Sequence, residues 1–146
     1  MVFYKNFLGK GFVFLFSVFI LISLSNEYCI AKKNNNFKIE VLYFHATIRC
    51  EGCLAIEDFT KKSVKSKFAN EIKNGKVVLK SLDFLQPKNE HYQKKYNFYV
   101  QTLIISKKVK GKEVKWKNLD KIWDYSSNYQ QFQDYVEKEI KNLLND

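Results

Sequence analysis

The stretch Tyr43-Phe44-His45-Ala46-Thr47-Ile48-Arg49-Cys50-Glu51-Gly52-Cys53 restricts what this chain can fold into more than any other. An apolar, β-prone run from Ile39 to Phe44 stops just before a Cys-x-x-Cys pair, and a helical pattern begins at that pair. A thiol at the N-terminus of a helix meets unpaired main-chain N–H groups and the positive end of the macrodipole, and both favour the thiolate. Cys50 is therefore the expected reactive sulfur. Cys53 follows about one helical turn on, close enough to close a disulfide with it.

The chain on either side of this junction reads as alternating strands and helices. Residues 37–44 form the first strand, and the apolar run Val41 to Phe44 reads as buried on both faces and hence central. Residues 50–74 read as a helix, with Leu54, Ile56, Phe59, Val64, Phe68 and Ile72 mostly at three- and four-residue steps. The five-residue step from Phe59 to Val64 places a break within residues 60–63, and Asn74-Gly75 is a natural stop. A second strand spans residues 76–84, and Pro87 opens a short helix over residues 88–96. Residues 99–108 and 112–116 form a hairpin about Lys110-Gly111. Asp120 is the expected cap of a short turn through Trp123, and Trp116 and Trp123 are expected to cover the sheet edge. A final helix over residues 128–144 carries Phe132, Tyr135, Val136, Ile140, Leu143 and Leu144 on one stripe. This order predicts an α/β fold, a mixed four-stranded sheet flanked by helices on both faces.

Residues 1–25 read as a signal peptide. Lys5 and Lys10 form a basic start, residues 12–24 are apolar apart from two serines, and Ser23-Leu24-Ser25 is a small-x-small cleavage site. The apolar run has 13 residues, short of the roughly 18 a spanning helix needs. Residues 26–36 are a polar, flexible leader, and residues 37–146 are the folded domain. The expected product is exported, periplasmic or extracellular, and touches a membrane only if the signal stays uncleaved and anchors it. Cys29 stays near the new N-terminus after cleavage at Ser25 and is discarded if the cut follows Ala31. The charged and bulky residues of Asn26-Glu27-Tyr28 disfavour a lipidated Cys29. What remains is one domain with one core, expected as a monomer and large enough to fold without a disulfide.

The net charge of +10 falls to +8 without Lys5 and Lys10. The excess is almost all Lys, in a chain also rich in Asn, Ile, Phe and Tyr, which points to compositional bias rather than a selected patch. Arg49 is the single arginine, so no arginine cluster with interleaved aromatics exists and nucleic-acid binding is not expected. His45 and His91 with the two paired cysteines fit no zinc-finger spacing. Five scattered glycines form no Gly-x-Gly-x-x-Gly cradle for a flavin or nicotinamide group. No metal or cofactor is expected.

The element order, with Cys50-Glu51-Gly52-Cys53 at its first strand-to-helix junction, resembles the thioredoxin fold over roughly residues 37–144. More narrowly, Tyr43-Phe44-His45, Asn89-Glu90-His91-Tyr92 and the run from Gly111-Lys112-Glu113-Val114-Lys115-Trp116 through Trp123 are similar to a small family of exported thioredoxin-like proteins. Members of that family often bear the name of a nitrophenyl-compound nitroreductase subunit. The resemblance implies a thiol:disulfide oxidoreductase acting on protein thiols or disulfides, with Cys50 attacking and Cys53 resolving. The position of the thioredoxin cis-proline falls near Gln101, facing the dithiol, and the position of the thioredoxin buried acid falls on Phe44. Arg49 abuts Cys50 and favours its thiolate, opposed by Glu51. His45 is either a proton carrier for the thiol or a packed strand-end residue. The alternative is a non-catalytic interaction module with a structural disulfide.

Overall fold

A computed structural model describes residues 37–146. The expected signal peptide, the leader and Cys29 lie outside these residues. Strand β1 (Phe37–His45) leads into helix α1 (Glu51–Lys67), a short helix α2 (Ala69–Lys73) and strand β2 (Val77–Asp83). Helix α3 (His91–Tyr96), strands β3 (Thr102–Val109) and β4 (Lys112–Asn118), and helix α4 (Tyr129–Asn145) complete the chain. The sheet order is β2-β1-β3-β4. β1 pairs parallel with β2, Ile39 opposite Val77, and antiparallel with β3, Val41 opposite Ile105. The expected α/β class, with a mixed four-stranded sheet flanked by helices, is the one found.

β1 is central, and from Val41 to Phe44 its side chains are apolar on both faces. Ile39, Val41 and Tyr43 enter one core with Ile56 and Val64 of α1 and Phe132, Val136 and Ile140 of α4. Leu42 and Phe44 enter the other with Ile104, Phe84, Tyr96 and Phe98. Two residues, Lys110 and Gly111, join β3 to β4 with φ of 51° and 81°. Positive φ at both central positions makes the type I′ turn whose twist suits a hairpin, and a glycine accepts it without strain.

Four expectations about boundaries need correction. The helix after the dithiol is continuous through residues 60–63, where Thr60 and Ser63 are small enough to be buried and the Thr60 hydroxyl bonds the Ile56 carbonyl at 2.8 Å. It breaks instead at Phe68, whose φ of −129° separates α1 from α2. Each four-residue step turns a helix about 40° past a full circle, so the steps from Val64 to Phe68 to Ile72 drift off the core-facing side. The break turns the chain back, and the Phe68 ring stays buried. Pro87–Asn89 forms a separate 3-10 turn ahead of α3, because the Asn89 side chain is drawn to the Asp83 carbonyl at 2.8 Å. Residues 99–101 are not in the strand, which begins at Thr102. Asp120 caps nothing: Leu119 starts the turn without a side-chain bond, and the Asp120 carboxylate lies 3.4 Å from the Tyr135 hydroxyl.

Candidate active site

Cys50 is the N-cap of α1, with extended backbone (φ −78°, ψ 167°), and its Sγ accepts from the Cys53 N–H at 3.3 Å. The two cysteines form a disulfide across a Cα separation of 5.1 Å. They differ in exposure: Cys50 is open to solvent, whereas Cys53 is buried against the sheet. The strand delivers Cys50 to this place because β1 ends at His45 and four loop residues, 46–49, carry the chain to the helix mouth. Thr47 pins that loop, its hydroxyl donating to the Asp83 carboxylate at 2.7 Å. This bond, followed by the Leu85 N–H and the Gln86 side chain, holds the Asp83 carboxyl below the usual range despite some desolvation.

The buried Tyr43 hydroxyl lies under the dithiol. It donates to the Cys53 carbonyl at 2.8 Å and sits 3.1 Å from Oε1 of Gln101. One hydroxyl proton cannot serve both acceptors, so the Gln101 amide is satisfied when turned to donate its NH₂ to the phenol oxygen. Burial pushes the Tyr43 phenol far up, and the nearby Glu57 charge adds to this against the opposing Arg49. Gln101 lies just ahead of β3 and reaches the Tyr43 hydroxyl, and no peptide bond among the described residues is cis. Its carbonyl accepts from the Trp123 indole N–H at 3.2 Å. Trp123 therefore braces the site, while Trp116 packs edge-on against Tyr96 as expected, with ring centroids 5.1 Å apart.

Arg49, half-buried, is turned onto Glu57, with which it forms an ion pair. Glu57, the side chain that sequence reasoning missed, is almost fully buried on α1. It also accepts from Lys61 at 2.7 Å and from the Ser81 hydroxyl at 2.8 Å. Burial alone would raise its carboxyl; the bonds from Lys61 and Ser81 and the charges of Lys61 and Arg49 bring it below the ordinary value. The available signal was its spacing, four residues after Cys53 on the same helical face. Phe44, at the position of the thioredoxin acid, faces the opposite core from Tyr43.

His45 makes its bond to the main chain, Nδ1 lying 2.9 Å from the Ala46 carbonyl. Since that oxygen only accepts, Nδ1 is the donor in this bond. Among the described residues His45 has no hydrogen bond to either cysteine. His91 lies on α3 with its ring tilted against Tyr92, ring centroids 4.1 Å apart. No three His, Cys, Asp or Glu side chains converge among the described residues as a metal site would need. Ile48 and Leu54, which flank the two cysteines in the chain, and Tyr99 and Val100, which precede Gln101, are exposed apolar side chains, as is Trp123, which bonds the Gln101 carbonyl.

No family profile matches the chain, and no curated protein matches it. Among solved structures it is similar to a malarial protein, at 23% identity and a TM-score of 0.38, over 56% of this chain and 80% of that one. It is similar to thioredoxin O2 from Arabidopsis thaliana in its oxidized state, at 16% identity and a TM-score of 0.40, over 66% and 76%. It is also similar to a Fasciola hepatica thioredoxin, at 19% identity and a TM-score of 0.37, over 67% and 81%. The sheet order, the parallel first pair and the disulfide at the β1–α1 junction give the chain a thioredoxin-like fold with a Cys-x-x-Cys disulfide.

Proposed function

We propose that this domain is a thiol–disulfide oxidoreductase in which Cys50 is the nucleophile and Cys53 the resolving thiol. The observation that supports it is the asymmetry of the disulfide: an exposed sulfur at a helix N-terminus bonded to a buried one. In the reduced chain the Cys50 thiolate attacks a substrate disulfide, forming a mixed disulfide and releasing one substrate thiolate. Cys53 then loses its proton and attacks Cys50, which restores the intramolecular bond and releases the second substrate thiolate. The reverse sequence oxidises a substrate dithiol. The substrates are protein thiols or disulfides, and the exposed Ile48 and Leu54, which flank the cysteines in the chain, suit an unfolded or extended polypeptide. The chain acts as an exported monomer, a reading supported by the signal pattern of residues 1–25 and by the stability of disulfides in oxidising compartments. Reduction of nitro groups, which the usual name of the similar exported family implies, finds no support in the comparisons and is not part of this reading.

The test is trapping. A Cys53→Ser variant accumulates mixed disulfides with exported proteins, and a Cys50→Ser variant does not. Equal trapping by both, or a reduction potential below about −300 mV, points instead to a structural disulfide in an interaction module.

A further inference from the structure

Cys50, Cys53 and Glu57 fall three and then four residues apart, so one face of α1 carries both sulfurs and the buried carboxylate. Arg49 joins the two ends of this row, because it adjoins Cys50 in the chain while its guanidinium is held by Glu57. The carboxylate is not dependent on it. Arg49 takes Oε2, whereas Lys61 and Ser81 both take Oε1. Withdrawing Arg49 therefore leaves Glu57 charged, paired and hydrogen-bonded, which avoids the large penalty of an orphaned buried charge.

The geometry points to Arg49 as a redox-gated positioning residue, docked on Glu57 while the disulfide is closed and transferred to the Cys50 thiolate when it is open. This inference rests on the redox reading above. In the step concerned, a substrate dithiol supplies two electrons to the Cys50–Cys53 bond and becomes a disulfide. Of its two protons one goes to Cys53 and the other to solvent, so Cys50 leaves as a thiolate. A new anion then appears on the residue next to Arg49 in the chain, where a neutral sulfur stood. A guanidinium with five donors can follow it without losing contact with the helix mouth. Glu57 thereby restrains the stabilisation of the thiolate: the more tightly it holds Arg49, the less of that charge reaches Cys50. The other titratable groups here are Glu51 in the first turn of α1, Tyr43 and His45 of β1, Asp83 of β2, which holds Thr47 of the loop, Lys61 on Glu57, and the Cys53 thiol itself.

Arg49 is the only arginine in the chain, so its Nε–H gives a single side-chain NMR signal that can be followed without ambiguity. In the unaltered chain that signal shifts on reduction and, in the reduced form only, titrates with the Cys50 thiol. Two variants test the charge coupling that the gate requires. Glu57→Gln lowers the thiol titration and shifts the equilibrium with glutathione toward the reduced protein about tenfold, or about 30 mV. Arg49→Gln moves both in the opposite direction. An arginine signal indifferent to reduction, or shifts of the same sign in both variants, overturns the gate. Should Glu57→Gln fail to fold, the arginine signal of the unaltered chain decides alone. Failure of the gate leaves partner trapping by Cys53→Ser intact, whereas failure of the redox reading abolishes that trapping.

Discussion

The phenol of Tyr43 donates a 2.8 Å hydrogen bond to the main-chain carbonyl of Cys53, so the central strand holds the first turn of α1 by a buried bond directly below the disulfide. The ring belongs to the apolar face of β1 and is fully buried, which makes the hydroxyl a polar group with no access to water as a substitute partner. The same oxygen meets Gln101 just ahead of β3. Strand, helix and opposing loop are thus joined at one atom.

Tyr43→Phe keeps the ring and deletes that atom. The Gln101 amide loses its partner, and the expected cost is about 1–2 kcal/mol of stability. Urea unfolding checks it: the midpoint falls while the slope, which follows the surface exposed on unfolding, stays the same. Faster amide exchange in the first turn of α1 locates the loss.

Much of this arrangement is legible from the chain because it depends on local patterns. The two-faced apolar run of β1, the Cys-x-x-Cys pair at its end, the Lys110-Gly111 turn and the stripe of α4 each carry their signal within a few residues. The kink at Phe68 is different, since four-residue steps look helical one at a time and show their drift only against a fixed core. Glu57 is hidden for a related reason. A glutamate on a lysine-rich helix reads as solvated, and only the fold brings Ser81 of β2 and Arg49 of the loop around it. The resemblance alone points to Gln101, whose tie to Tyr43 spans 58 residues and is announced by no spacing.

Phe44 tests whether the two faces of β1 are independent. Its ring is fully buried, with centroids 4.8 Å from Phe98 and 5.1 Å from Tyr92. Phe44→Ala should cost about 3–5 kcal/mol through lost burial and an aromatic cavity. Because the side chain points away from Tyr43 and α1, the thiol titration of the reduced variant should match that of the unaltered chain. Chemical denaturation and absorbance titration of the thiolate measure the two effects separately.

Acid stability turns on Glu40. This carboxylate is buried in the middle of β1 and meets Lys108 at 2.6 Å, Lys38 at 2.9 Å and Lys80 at 3.2 Å, so its own strand and both neighbouring strands each contribute a lysine. Burial would raise its pKa, but the bonds from Lys108, Lys38 and Lys80 outweigh it and bring the carboxyl from 4.5 down to about 2. A folded carboxyl that binds its proton more weakly than the unfolded one stabilises the fold fully above about pH 4.5, and the contribution disappears as pH falls toward 2. Its size at neutral pH is on the order of 3 kcal/mol. Glu40→Gln should therefore lower stability at pH 7 and flatten its decline between pH 4.5 and 2, the window set by this shift. Some slope persists, since Glu57 and Glu113 are also held below their ordinary values. Urea midpoints at stepped pH decide it: parallel curves for the variant and the unaltered chain would mean that the three lysines do not hold Glu40 ionised in the fold.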